Sequence, residues 1–126
     1  MNLIDSSAWL EYLADGPRAG VFEAAITRTQ DLLVPVICIY EVFKRVLQQR
    51  DEESALRSVA LMQQGTVVEL DSNIALRAAK RSIEYKLPMA DAIILATAQV
   101  YNATIWTQDA DFKDIKGIKY FSKTTS

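Results

Sequence analysis

The chain has 126 residues, half of them hydrophobic, and a net charge of −2 at pH 7, so one domain with a full core is expected. Its single cysteine, Cys38, excludes an internal disulfide and a cysteine-cluster zinc site, and reads as a small core residue within VPVICIY. There is no histidine, so hydrolysis by a histidine base or a Ser-His-Asp triad is excluded and would fall to carboxylates holding a metal.

In chain order, NLID (2–5) is a short apolar run ending in an acid and predicts a first strand. SSAWLEYLAD follows as a helix, its serines suited to capping, with Gly16-Pro17 as a stop. A second helix is expected from Pro17 to Gln30, with proline in the first turn, where it is tolerated. LLVPV reads either as a strand or as the lead-in to the next helix, Pro35 leaving both open. From Val36 to Gln49, Val36, Ile39, Tyr40, Phe43, Val46 and Leu47 recur at helical spacing. DEESALRSVALMQQ (51–64) is a further helix stopped by Gly65, and TVVEL (66–70) is a β-branched strand. SNIALRAAKRSIEYK (72–86) is an amphipathic helix broken at Leu87-Pro88. PMADAIILATAQV (88–100) begins a helix reaching about Asn102, apolar on every side apart from Asp91 and therefore expected to be buried. The strand ATIWT (103–107), a turn at QDADF and a last strand in IKYF (118–121) complete the pass. Strands alternating with helices imply crossover connections, hence an α/β fold with helices on both faces of a central, mainly parallel sheet of four or five strands. Residues 1–126 are taken as one domain.

MNLIDSSAW has neither a basic region nor a long apolar run, and the longest apolar stretch, Leu32–Tyr40, is too short to span a bilayer. A cytoplasmic protein without signal peptide or membrane span is the expectation. Two stretches are locally basic: Lys113, Lys116, Lys119 and Lys123 against Asp114, and Arg77, Lys80, Arg81 and Lys86. Such runs are commonly solvated faces. No glycine-rich phosphate loop is present.

The acids carry more information. In an open parallel sheet, ligands bind outside the carboxyl ends of the strands. Asp5 ends the first strand, Asp109 lies just past ATIWT, Asp91 sits in the first turn of the buried helix, and Glu41 interrupts ICIYEVF. Each has an ordinary explanation: Asp91 as a helix N-terminal acid, Glu41 as a partner of Arg45, Asp109 and Asp111 as Asx turns, Asp5 as a cap. Taken together, a shared site explains why three of them abut apolar strands or a buried helix. Several carboxylates within a few ångströms cannot all ionise without a cation, and hard cations such as Mg2+ or Mn2+ suit them.

LIDSSAW, the lone acid in VPVICIYEVFKRV, LPMADAIILATA and ATIWTQDADF resemble, in order and over nearly the whole chain, the motifs of PIN-domain ribonucleases. Among these, the resemblance is closest to the VapC toxins of toxin–antitoxin pairs. It implies a PIN-like three-layer α/β/α fold and metal-dependent cleavage of RNA by an activated water. Asp5, Glu41, Asp91 and Asp109 match the four acidic positions. Asp5 and Asp91 would be the main metal ligands, with Glu41 and Asp109 completing the set directly or through water. Ser6 or Ser7 matches the small polar place after the first acid, and Thr107 the hydroxyl before the fourth, suited to orienting water or phosphate. Asp111 and Phe112 match a common DF pair. The resemblance further implies Mg2+ or Mn2+ as cofactor, an RNA substrate, a VapB-type antitoxin partner and a homodimer.

Two rivals compete for the same residues. A phosphorylated receiver domain requires paired acids after the first strand, where this chain has one aspartate followed by two serines. A catalytically silent PIN-like scaffold that binds RNA or protein is the remaining alternative, and the intact set of acids speaks against it.

Overall fold

Five short strands and six helices build the fold in a computed structural model that describes residues 1–123, so 124–126 of the expected domain lie outside them. Strands β1 (Asn2–Ile4), β2 (Leu32–Pro35), β3 (Thr66–Val68), β4 (Thr104–Thr107) and β5 (Ile118–Tyr120) form one sheet in the order β3-β2-β1-β4-β5. Every pairing is parallel, so the expected mainly parallel sheet is wholly parallel and five-stranded. Parallel neighbours need crossovers, which are supplied by α1 (Ser6–Leu13) and α2 (Ala19–Ile26), α3 (Val36–Gln49) and α4 (Glu52–Met62), and α5 (Ser72–Tyr85) and α6 (Met89–Val100).

LLVPV resolves as strand first, helix second. Pro35 pairs in register with Val68 at the very end of β2, beyond the last residue that pairs with β1, where a missing N–H costs no ladder bond. Val36 then opens α3 directly. The helix expected over 17–30 is shorter, because it ends at Ile26 and a separate 3-10 turn covers Thr29–Asp31. The Thr27 hydroxyl donates back to the Glu23 carbonyl at 2.9 Å, closing the helix end. Asp51 and Asp71 cap α4 and α5, their carboxylates accepting from the Ser54 and Ile74 N–H groups at 2.7 and 2.9 Å. Gly117, at φ +86°, takes the left-handed turn that leads into β5.

The core lies on both faces of β1, the central strand. Leu3, Ile4, Leu33, Val34 and Ile105 have essentially no exposed surface, and every residue of α6 from Ala92 to Ala98 is buried. The all-round apolar character of that helix follows from its position. Leu3→Ala should cost about 2–5 kcal/mol, measured by urea unfolding, because a central-strand cavity has no room to collapse.

The chain path sets the site. From β1 it steps outward to β2 and β3, then returns to the other side of β1 as β4. The direction therefore switches between β1 and β4, and a crevice opens beyond their carboxyl ends.

Candidate active site

Asp5 follows β1 immediately, its N–H still donating to the Trp106 carbonyl at 3.1 Å as though the ladder continued. Its side chain caps α1: Oδ1 accepts from the Ala8 N–H at 2.9 Å and from the Ser7 hydroxyl at 2.7 Å. Oδ2 accepts from the Thr107 hydroxyl. A carboxylate has about four lone-pair sites, so three are filled and one, on Oδ2, is left. Asp5 is 2% exposed, and burial pushes its carboxyl up to about 6 against the pull of Thr107, Ala8 and Ser7. The capping explanation of Asp5 is thus true and does not exhaust it.

Thr107 is the hinge of the arrangement. It is fully buried at the end of β4, gives its proton to Asp5 and accepts from the Asp109 N–H at 2.8 Å. The Ser7 hydroxyl, its own proton on Asp5, accepts from the Gln108 N–H at 3.1 Å. The strand ends of β1 and β4 are so tied through two hydroxyls. Thr107 does not line the crevice; it stands behind the acids and sets their positions.

Asp91 is the third residue of α6, whose N-cap is Pro88 with no side-chain cap bond. It does not cap the helix. Its carboxylate faces those of Asp109 and Asp111, and one oxygen from each lies within 4.8 Å of the other two. Burial, followed by the negative charges of Asp109, Asp111 and Asp5, pushes the Asp91 carboxyl up to about 8. Asp109 begins the 3-10 turn Ala110–Phe112 and accepts from the Asp111 N–H at 2.9 Å, an Asx turn that folds Asp111 back toward Asp91. Phe112, fully buried, anchors that turn in the core.

Glu41 stands on α3 and accepts a 2.6 Å hydrogen bond from the Ser6 hydroxyl, which ties α3 to the start of α1. Its expected pairing with Arg45 is not formed among the described residues. Asp5, Glu41, Asp91 and Asp109 all line one open crevice of about 840 Å3. The tightest carboxylate group is Asp91, Asp109 and Asp111, and Asp111 is the member that motif reading left without a role at the site. Its signal in the sequence was its spacing, two residues after Asp109 in a turn. Cys38, beneath the site on α3, is fully buried, and burial raises its thiol far above the usual range, as for an inert core residue.

The donor set fits a hard divalent cation: oxygen ligands from separate elements, closely spaced and mutually repelling without a counter-charge. Burial, with that repulsion added to it, sets the sign of a pH effect. Both raised carboxyls hold protons in the folded chain that the unfolded chain has released, so unfolding sheds protons as pH rises from 3.8 toward the folded values of about 6 and 8. In EDTA the melting temperature should therefore fall between pH 4 and pH 8, and Mg2+ or Mn2+ should remove most of the fall. A metal-free melting temperature that rises steadily over that interval would contradict this electrostatic picture.

The profile of the PIN domain family matches residues 3–118. No curated protein matches the sequence. Among solved structures, the chain is similar to a toxin–antitoxin complex from Klebsiella pneumoniae, at 27% identity and TM-score 0.77, covering 94% of this chain and 95% of that one. It is also similar to VapC20 of Mycobacterium tuberculosis, a toxin that cleaves the sarcin–ricin loop, at 13% identity and TM-score 0.79 over 94% and 98% of the two chains. DNA-bound VapBC from Salmonella typhimurium aligns at 16% identity and TM-score 0.74 over 97% and 98%.

Proposed function

The chain belongs to the PIN domain family, and from that premise we propose that it is a metal-dependent endoribonuclease, the toxin of a VapBC-type pair. The observation that carries the reading is the meeting of Asp5, Glu41, Asp91 and Asp109, from four separate elements, in one crevice at the switch point of the sheet. Ordinary capping accounts for Asp5 and for Asp109. It leaves Asp91 uncapping and repelled.

Asp91, Asp109 and Asp111, with the remaining lone pair of Asp5, would hold Mg2+ or Mn2+, and Glu41 would complete the set directly or through water. Such an ion supplies a water acidic enough to attack phosphorus and a positive charge for the phosphoryl oxygens. Thr107 and Ser7 hold Asp5 in one rotamer and one orientation. Ser6 aims Glu41 into the crevice, and the Asx turn of Asp109 presents Asp111. No step calls for a histidine.

RNA as substrate and an antitoxin as partner are supported by the neighbours, one of which cuts an RNA loop while others are toxin–antitoxin assemblies. Self-association has its own support. Leu76 and Ile83, seven residues apart on α5, and Met89 at the start of α6 are 69%, 83% and 73% exposed. A dimer burying them should appear in light scattering and be weakened by Ile83→Lys. Action in the cytoplasm belongs to the same reading, and no helix among the described residues is long and apolar enough to cross a membrane.

The experiment is cleavage of single-stranded and looped RNA by purified protein. Products should appear with Mg2+ or Mn2+ and vanish in EDTA. Undiminished cleavage after exhaustive chelation, or no cleavage with either metal, would overturn the proposal and restore the silent scaffold.

A further inference from the structure

The walls of the crevice differ in charge. One wall comes from the end of α1 and the loop after it: Leu10, Glu11 and Pro17. There the Glu11 carboxylate is fixed by the Arg18 N–H at 2.7 Å, so that wall is apolar and anionic. Helix α3 lines another part of the crevice, along two adjacent ridges of i, i+4 spacing, and Lys123 adds a further cation to the lining. Tyr40, Lys44 and Gln48 form one ridge; Glu41, Arg45 and Gln49 form the other. On each ridge a cation lies one turn beyond the acidic end of the site. Lys44 and Arg45 are exposed and, among the described residues, neither forms an ion pair. Tyr40 is 58% exposed beside Glu41, and the Lys44 Nζ stands 5.7 Å from its ring centroid.

Exposed cations without a carboxylate partner, beside a cluster of carboxylates, suit an anionic chain that must pass those carboxylates. An exposed aromatic ring at the same point suits an unpaired base, because stacking needs only a π-face. Helix α3 rises 1.5 Å per residue, so Tyr40 to Gln49 gives a wall of about 13 Å. We propose that this α3 wall is the track for single-stranded RNA next to the scissile bond. Lys44 and Arg45 hold flanking phosphates, and Tyr40 stacks the adjacent base. The proposal rests on the ribonuclease reading and adds to it a direction of approach, along α3 and away from Glu11.

The test compares wild type, Lys44→Ala/Arg45→Ala, Tyr40→Leu and a charge-matched control, Arg77→Ala/Lys80→Ala, on the exposed surface of α5. Binding of a short fluorescent single-stranded RNA is followed by anisotropy with Ca2+ in place of Mg2+ or Mn2+. Steady-state cleavage of the same RNA is measured with Mn2+. The α3 double variant should bind about tenfold more weakly and lose about 1.4 from the slope of log affinity against log salt, two phosphates at roughly 0.7 each. Its KM should rise while kcat holds, a split that a merely structural role would not give. Tyr40→Leu should lose about tenfold in affinity with the salt slope unchanged. The α5 control should match wild type.

Wild type that cuts RNA with metal while the α3 variants behave like it would overturn the track and leave the ribonuclease reading standing. Wild type that neither binds nor cuts RNA would overturn both. Poly-glutamate serves as an acidic-peptide probe. A loss on Lys44→Ala/Arg45→Ala confined to poly-glutamate would assign the wall to an acidic protein segment and overturn the RNA track.

Discussion

Asp91→Asn should abolish RNA cleavage while leaving the metal-free protein at least as stable as wild type. Asparagine keeps the size of aspartate, and no cap bond is lost because Pro88 occupies the N-cap position. What is lost is one charged oxygen from the Asp91–Asp109–Asp111 group. A catalytic cation contributes several kcal/mol to transition-state stabilisation, and at 1.36 kcal/mol per tenfold its loss should slow cleavage by about a thousandfold or more. Stability should move the other way. The wild-type carboxyl, raised from 3.8 to about 8, weakens the metal-free fold progressively across that interval, and asparagine has nothing to titrate there. In EDTA the variant should therefore melt a few degrees above wild type at pH 8 and close to it at pH 4. Mn2+ should raise the melting temperature of wild type more than that of the variant, since an ion stabilises only a site that binds it. A variant that melts early and still cuts RNA would show Asp91 to be structural.

The second large effect belongs to a residue outside the lining of the crevice. Thr107→Val preserves shape but removes the hydroxyl between Asp5 and the Asp109 N–H. A buried carboxylate loses a donor and a half-buried amide loses its acceptor, at about 1–3 kcal/mol for a fully buried group and less for the amide. Asp5 should then hold its proton to higher pH, because burial would go less opposed. The expected result is a protein destabilised by about 2–4 kcal/mol in urea, with cleavage reduced by about 10–100-fold and its pH profile displaced upward, as for loss of an outer-shell partner. Thr107→Ser should restore most of both. Equal loss in the serine and valine variants would mean that the methyl group, and hence packing, is what matters.

Much of this was legible in the sequence because it depends on periodicity and on where strands stop. The alternation of apolar runs gives the crossovers, and Asp5 and Asp109 fall on the sheet rim simply by ending strands. Asp91 stood out because a charge in a helix with no polar face must be explained. What escaped depends on side-chain direction within short turns. Asp111 joins the acids only because an Asx turn curls it back, and the same dipeptide in an open loop would point elsewhere. Thr107 alternates inward at the end of β4, where it is buried and its hydroxyl is given to Asp5. The free cations of α3 were hidden by helical pairing rules, which give Glu41 to Arg45; Ser6, thirty-five residues earlier, takes Glu41 instead.

Whether this crevice directs water at an RNA phosphodiester is tested most directly by the ends of the products. If water attacks phosphorus and expels the 3′-oxygen, cleavage with Mn2+ in 18O-labelled water leaves a 5′-phosphate carrying the label on one fragment and a free 3′-hydroxyl on the other, and EDTA stops it. Products ending in 2′,3′-cyclic phosphate, formed with or without metal, would mean that the RNA's own hydroxyl is the nucleophile. That result would contradict metal-activated water attack at Asp5, Asp91 and Asp109.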